Sequence, residues 1–227
     1  MTHQGKAFRA GLRLLLIGLL LALALGGLLT LLGLSLRIGA GLAGGAYALF
    51  AAFTLYFFRD PTAVVPTTPG AVVAPGHGTV DVVEEFSEPK TMGGACRRVS
   101  IFLSVFDVHV QQAPVGGKVF FREHTPGKYV NALRSDCGLH NENVLLGFDV
   151  TDPVGAPGRR VAVRLIAGLI ARRIIPWVAV GTAVAKGDRM ALIQFGSRAD
   201  LYLPLTARIT VKPGDRVVGG ESIVAHL

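Results

Sequence analysis

Two uninterrupted apolar runs at the start of this chain constrain its fold more than any other feature. No charged residue falls between Leu14 and Leu36, and none between Ile38 and Phe58. A helix needs about 20 apolar residues to cross a hydrocarbon core of about 30 Å, so each run is long enough to span a bilayer. A secretory signal would have a shorter core and a small-residue cleavage site, and no second span would follow it at once. The two runs therefore predict a transmembrane helical hairpin over residues 1–58, turning near Gly33 to Gly41. Gly41 and Gly45 form a small-xxx-small pair suited to close helix approach, with plain apolar filler as the competing reading. Lys6, Arg9 and Arg13 precede the first run and Arg59 follows the second, while only Arg37 lies in the turn. The positive-inside rule then puts both ends, and everything after Arg59, on the cytoplasmic side of the cell membrane.

The rest of the chain reads differently. Short Val- and Ile-rich runs alternate with Gly, Pro and Gly-Asp turn signals, as in "GTVDVVEE", "RRVSIFL", "ENVLLGFDV", "RMALIQF" and "ARITVKPGDRVV". Such runs of four to eight residues are strands, and no stretch after Arg59 carries helical periodicity over twelve residues. Val161 to Val178 is apolar enough for a helix, but its β-branched residues and the stop at Pro176 favour one or two strands. Residues 59–227 are thus expected to form a mainly β domain, a compact sandwich or barrel-like fold. "AVGTAVAKGDRMALI" and "ARITVKPGDRVVGGESIVAHL" echo one another as strand, Gly-Asp-Arg turn and strand, with "VVAPGHGTVDVV" as a looser third relative.

The formal net charge is +8. Beside a membrane hairpin, that excess suits anionic lipid, and no interleaving of basic and aromatic residues suggests stacking on nucleic-acid bases. Cys96 and Cys137 lack metal-ligand spacing and read as free cytoplasmic thiols.

Few groups could perform chemistry. Asp107 and His109 in "FLSVFDVHVQQAP" are two apart, so on a strand they project from one face, either as a structural polar pair or as an acid–base pair. The remaining histidines are scattered, and none forms the His-x-x-x-His or His-x-His spacing of a metal site. The Gly196-Ser197 pair in "LIQFGSRADLYLP" lacks the final glycine of a hydrolase elbow. With no side chain on Gly196, its carbonyl is open to attack by the neighbouring hydroxyl, which would turn an amide into an ester.

These phrases together resemble the short, membrane-anchored phosphatidylserine decarboxylases of bacteria and archaea. The likeness runs through the hairpin, "FFRDP", "APGHGTV", "SIFLSVFDVHV", "NALRSD…NENVLLGF", "IAGLIARRI", "KGDRMALIQFGSRADLYLP" and "VKPGDRVVGGESIVAHL". It implies a proenzyme that cleaves itself between Gly196 and Ser197. The products would be a β-chain, 1–196, and an α-chain, 197–227, held as a heterodimer, with higher oligomers left open. Ser197 would become a covalent pyruvoyl cofactor. That group would form a Schiff base with phosphatidylserine and yield phosphatidylethanolamine and carbon dioxide. The resemblance also implies His109 as the general acid, with Asp107 orienting or charge-coupling it. Arg198, beside Ser197, and Arg172 and Arg173, set among apolar residues, are candidates for headgroup contact, with solvated surface charges as the competing reading. One departure stands out. His77 in "APGHG" occupies the position of a family aspartate that assists self-cleavage, so His77 itself becomes a candidate processing base. Gln112 also stands where longer relatives carry a second histidine. The alternatives are a decarboxylase of an ether-linked, archaetidylserine-type lipid, or a membrane-anchored β adaptor that stays uncut.

Overall fold

The computed structural model describes residues 3–130, 137–151, 159–168, 173–194 and 197–227. It divides into two compact units, Gln4–Asp60 and Pro61–Leu227, the latter together with the first three residues.

The first unit is an antiparallel pair of helices, α1 (Lys6–Leu31) and α2 (Leu36–Phe57), each long and apolar enough to cross a membrane. The turn is shorter and earlier than the glycines alone suggest. Gly33 takes the left-handed conformation at φ 97°. Its N–H bonds the Thr30 carbonyl at 3.1 Å, and the Leu34 N–H bonds the Leu29 carbonyl at 3.1 Å. This 5→2 and 6→1 pair is the Schellman ending that a glycine after the helix permits. Helix α2 restarts by Leu36, which leaves Gly39 and Gly41 inside it. The close approach uses Gly39 and Ala43 rather than Gly41 and Gly45. Ala43 Cβ would lie 3.5 Å from a Cβ placed on Gly26, whereas Gly41 and Gly45 face open space. Two positions of offset on a helix turn a residue through about 200°, so the second pair points away.

The second unit is mainly β. In chain order its elements are β1 (Ala71–Val73), β2 (Gly78–Glu88), β3 (Gly94–Leu103), β4 (Val110–Gln112), β5 (Gly117–Thr125), the single-turn α3 (Cys137–His140), β6 (Asn143–Val150) and β7 (Arg160–Ala167). There follow β8 (Arg173–Pro176), β9 (Ala183–Val184), β10 (Arg189–Gln194), β11 (Ser197–Leu203), β12 (Arg208–Ile209), β13 (Arg216–Val217) and β14 (Ile223–His226). The apolar stretch from Val161 is indeed two strands, β7 and β8.

An eight-stranded sheet runs in the order β13-β2-β3-β11-β7-β6-β5-β9, and two three-stranded sheets run β1-β14-β12 and β4-β10-β8. These orders hide a two-fold repeat. The large sheet is a palindrome about the β11–β7 boundary, in which β13, β2, β3 and β11 correspond to β9, β5, β6 and β7. The small sheets correspond strand for strand. Backbone hydrogen bonds repeat with the strands. Ala74 exchanges bonds with Ser222 and Gly220 (2.9 and 2.9 Å), as Ala113 does with Asp188 and Gly187 (2.7 and 2.8 Å). Val80 does so with Asp215 and Gly214, and Val119 with Thr182 and Gly181. Across the axis, Val73 N–H bonds the Pro114 carbonyl and Gln112 N–H bonds the Pro75 carbonyl. Even the bulges match, at Val80/Val82 and at Val119/Phe121. The true mate of "APGHGTV" is therefore "APVGGKV", and Gly181-Thr182 is the mate of Gly214-Asp215. The Gly-Asp-Arg turns that look alike in sequence share a local design, with Asp188 and Asp215 each accepting the N–H three residues earlier at 2.9 Å. They are not related by the axis.

One half, residues 110–194, is inserted into the other between β3 and β11. The core lies between the large sheet and the small ones. Val99, Ile101, Leu103, Ala199, Leu201, Val163 and Leu165 contribute from the large sheet, and Val72, Ala191, Ile193 and Val224 from the small ones.

Candidate active site

The chain passes between the two halves twice, through residues 104–109 and through 195–196. Strand pairing brings the residues that flank these connections together. At one end Ser197 pairs with Leu103, the residue before the first crossover. At the other, the His109 carbonyl accepts the Ile193 N–H at 3.1 Å, just before the second. The residues that flank the two connections, far apart in sequence, are thus paired at both ends. Gly196 and Arg172 lie outside the described residues.

Ser197 opens β11, flanked by Leu103 on one side and Ala167 on the other. The two-residue alternation of a strand places it on the core side with Ala199 and Leu201. It is fully buried, and its Oγ has no hydrogen-bond partner among the described residues. A buried hydroxyl without a partner is uncommon and calls for a cause. Asn141 braces the same strand end, since its Nδ2 donates to the Ala167 carbonyl at 2.7 Å and to Val130 at 2.8 Å.

Asp107 and His109 are not on a strand. They close a turn, because the residues after Leu103 must leave the large sheet to reach β4. The Asp107 N–H bonds the Ser104 carbonyl at 3.0 Å, and Asp107 Oδ2 accepts the Ser104 N–H at 2.8 Å. Its Oδ1 accepts Arg216 Nη2 at 2.6 Å. Burial alone would raise the Asp107 pKa, but the hydrogen bonds from Arg216 and Ser104 outweigh it and hold the carboxyl below its ordinary range. His109, fully buried, is held through the backbone instead, with Nδ1 at 2.8 Å from the Asp107 carbonyl oxygen. An Nδ1–H donating to that carbonyl leaves Nε2 as the basic nitrogen. The Asp107 carboxylate thus shapes the turn and the Asp107 carbonyl holds the ring.

His77 lies in the bend between β1 and β2, half-buried. Its neighbours are tightly placed. A side chain on Gly76 would meet Gln111 Oε1 at 2.6 Å, and one on Gly78 would run into the Phe102 carbonyl oxygen. Gln112 has an Oε1 that is buried without a partner among the described residues.

The arginines divide. Arg173 is exposed and pairs with Gln194, at the doorstep of the second crossover. Arg198 is 1% exposed, and its guanidinium grips both carboxylate oxygens of Asp81, Nη1 to Oδ1 at 3.2 Å and Nη2 to Oδ2. It points to the face of the sheet opposite Ser197. On that face Asp200 is fully enclosed, with Oδ1 accepting from Ser100 Oγ at 2.6 Å and Oδ2 3.5 Å from Arg98 Nη1. Burial pushes the Asp200 carboxyl upward against the pull of Ser100 and the arginines. Arg216, Asp81, Ser100 and Asp200 were given no role from the sequence. A lone aspartate in the apolar run "TVDVV" and the arginine closing "KPGDR" were the available signals.

Comparison with known proteins agrees on one family. A family profile described as phosphatidylserine decarboxylase matches residues 50–225. The chain is 46% identical over 190 residues to the phosphatidylserine decarboxylase proenzyme of Symbiobacterium thermophilum, covering 84% of each. It is 40% identical over 181 residues to that of Desulfotalea psychrophila, covering 80% of this chain and 82% of the relative. With the proenzyme of a Geobacter species it shares 39% over 200 residues, covering 88% and 89%.

Proposed function

The chain belongs to the phosphatidylserine decarboxylase family, and from that premise we infer that it is a proenzyme that converts phosphatidylserine to phosphatidylethanolamine and carbon dioxide. We propose that it does so with a pyruvoyl group made from its own Ser197. The single observation that carries this reading is the Ser197 hydroxyl, buried at a strand end without a partner among the described residues and directly after the Gly196-Ser197 bond. A serine serving as a turn residue or a core filler would bond a neighbouring carbonyl.

In the maturation step, Ser197 Oγ attacks the Gly196 carbonyl carbon and the amide C–N bond breaks, giving an ester. A base removes the α-proton of residue 197 and the Cβ–O bond breaks. Gly196 leaves as a free carboxylate, and residue 197 is left as dehydroalanine. Addition of water and loss of ammonia complete the α-ketoacyl end, giving chains 1–196 and 197–227. That group supplies the electron sink a decarboxylation requires. His109 Nε2, its ring fixed by the Asp107 carbonyl, is the proposed carrier of protons at this site, first as base and then as the acid that protonates the substrate α-carbon. His77, on the bend flanking β4, is the second candidate for the maturation base.

The hairpin α1–α2 is proposed as the membrane anchor, with residues 61–227 on the cytoplasmic side. Phosphatidylserine costs about 0.8 kcal/mol per methylene to lift from the bilayer, so the site has to work at the headgroup plane. Arg173, exposed beside the crossover, is the proposed headgroup contact. Ser197→Ala should remain one chain and release no carbon dioxide from phosphatidylserine in detergent micelles. Turnover by that variant would refute the proposal.

A further inference from the structure

Cutting the chain before Ser197 creates a mechanical problem. The reactive group would sit on the first residue of a strand, and strand ends fray. We propose that Asp81 and Arg198 form a clamp that holds the new end of the α-chain in place after the cut. This inference rests on the cleavage proposed above and concerns positioning rather than contact with substrate.

Three observations carry it. First, Arg198 is the residue whose amide nitrogen would carry the α-ketoacyl group, and its guanidinium is almost fully buried against Asp81 with a bond to each carboxylate oxygen. Asp81 belongs to β2, in the β-chain, so the pair would tie the two products together one residue from the cut. Second, β2 is bulged between Val80 and Val82, and a bulge re-aims the side chain it carries. Third, the two-fold repeat supplies an internal control. The positions equivalent to Arg198 and Asp81 are Arg160 and Phe120. There the guanidinium stacks 4.3 Å over the Phe120 ring and also meets Asp149, and it is exposed. At these equivalent positions of the uncut half, no ion pair is buried among the described residues. Taking a charge out of water is a poor way to stabilise a fold, and here the Arg198 side chain is 1% exposed and Asp81 28%, so a buried guanidinium at only that one of the two equivalent positions beside the cut points to placement. A second tie lies deeper along β11, where Asp200 bonds Ser100 on β3.

The test is hydrogen exchange followed by mass spectrometry on the full-length, processed protein in detergent, with intact mass recorded alongside. In the wild type, the first amides of the 197–203 segment should be as protected as those of the adjoining strand 160–167. Asp81→Asn should exchange those first amides about tenfold faster or more, leave 160–167 unchanged, and lower kcat with little change in KM. Asp81→Glu should recover part of the protection, and Arg160→Gln should leave the segment as in the wild type. Rapid exchange at the wild-type end overturns the clamp, and this holds even if Asp81→Asn fails to fold. Wild-type protection in Asp81→Asn, or a rise in KM without faster exchange, overturns it as well. A wild type that stays uncut is visible by mass alone and refutes the processing proposal itself, whereas a cut wild type with a frayed end refutes only the clamp.

Discussion

Replacing Asp107 separates two ways of using a carboxylate beside a histidine. The side chain is 6% exposed and makes two bonds, to the Ser104 N–H at 2.8 Å and to Arg216 at 2.6 Å. Asp107→Ala leaves a turn N–H without its charged acceptor, which costs about 1.5–3 kcal/mol. The Arg216 side chain is 64% exposed, so its share is screened and adds at most about 1 kcal/mol. The expected loss is about 1.5–4 kcal/mol, or roughly 3–15 °C in Tm for a unit of this size. Asp107→Asn keeps an acceptor for Ser104 and loses only the charge, so about 1 kcal/mol should go. The Asp107 carbonyl still faces His109 Nδ1 in both variants. Asp107→Asn should therefore process and turn over within about tenfold of wild type, while Asp107→Ala, with a loosened turn, should fall much further. Thermal unfolding followed by intrinsic fluorescence in detergent, with cleavage scored by intact mass, reads both quantities. Equal and severe loss of cleavage in both variants would refute the reasoning, because it would show that the carboxylate charge itself serves His109.

Acid should reveal the same residue. The Asp107 pKa is lowered in the folded protein, so its contribution is complete above the unfolded value of about 4 and is lost as pH falls through the folded one. The stability gap between wild type and Asp107→Asn should hold from pH 7 to about 4.5 and shrink progressively as pH falls below about 4, and a gap undiminished at pH 3 would contradict this. Ser100→Ala removes the hydroxyl that bonds fully enclosed Asp200 at 2.6 Å, and about 1.5–3 kcal/mol of stability should go with it in denaturant unfolding. Gly78 and Gly117 are mates in the repeat, and a Cβ on either would strike a backbone carbonyl, of Phe102 or of Asp149. Both alanine variants should lose about 1–3 kcal/mol, but only Gly78→Ala, beside the strand that pairs with Ser197, should also slow cleavage.

What the sequence made legible was whatever local chemistry announces. The helices were visible because lack of charge over such lengths has one physical outlet, and the strands because β-branched runs stop at glycine and proline. Gly196-Ser197 and His109 stood out as groups with few bland uses. The two-fold repeat was hidden, because its mates are matched by backbone geometry. "APGHGTV" and "APVGGKV" share a fold position, while the more similar Gly-Asp-Arg turns do not. Asp107 and His109 were expected on a strand since alternation in "SVFDVHV" continues through the residues that leave the sheet. Only the need to cross from β3 to β4 bends them into a turn. Arg198 looked like a headgroup ligand from its place beside Ser197. Its partner Asp81 is far off in sequence, and strand alternation turns Arg198 to the face opposite Ser197. Pairings of that kind become visible only once the register of β2, β3 and β11 is known.

The most direct test is the intact mass of the wild-type protein, purified without prior acid or amine treatment. Two species are expected, residues 1–196 with a normal carboxyl end and residues 197–227 with a ketone in place of the serine amine and hydroxyl. A single uncut polypeptide that still decarboxylates phosphatidylserine would contradict the account.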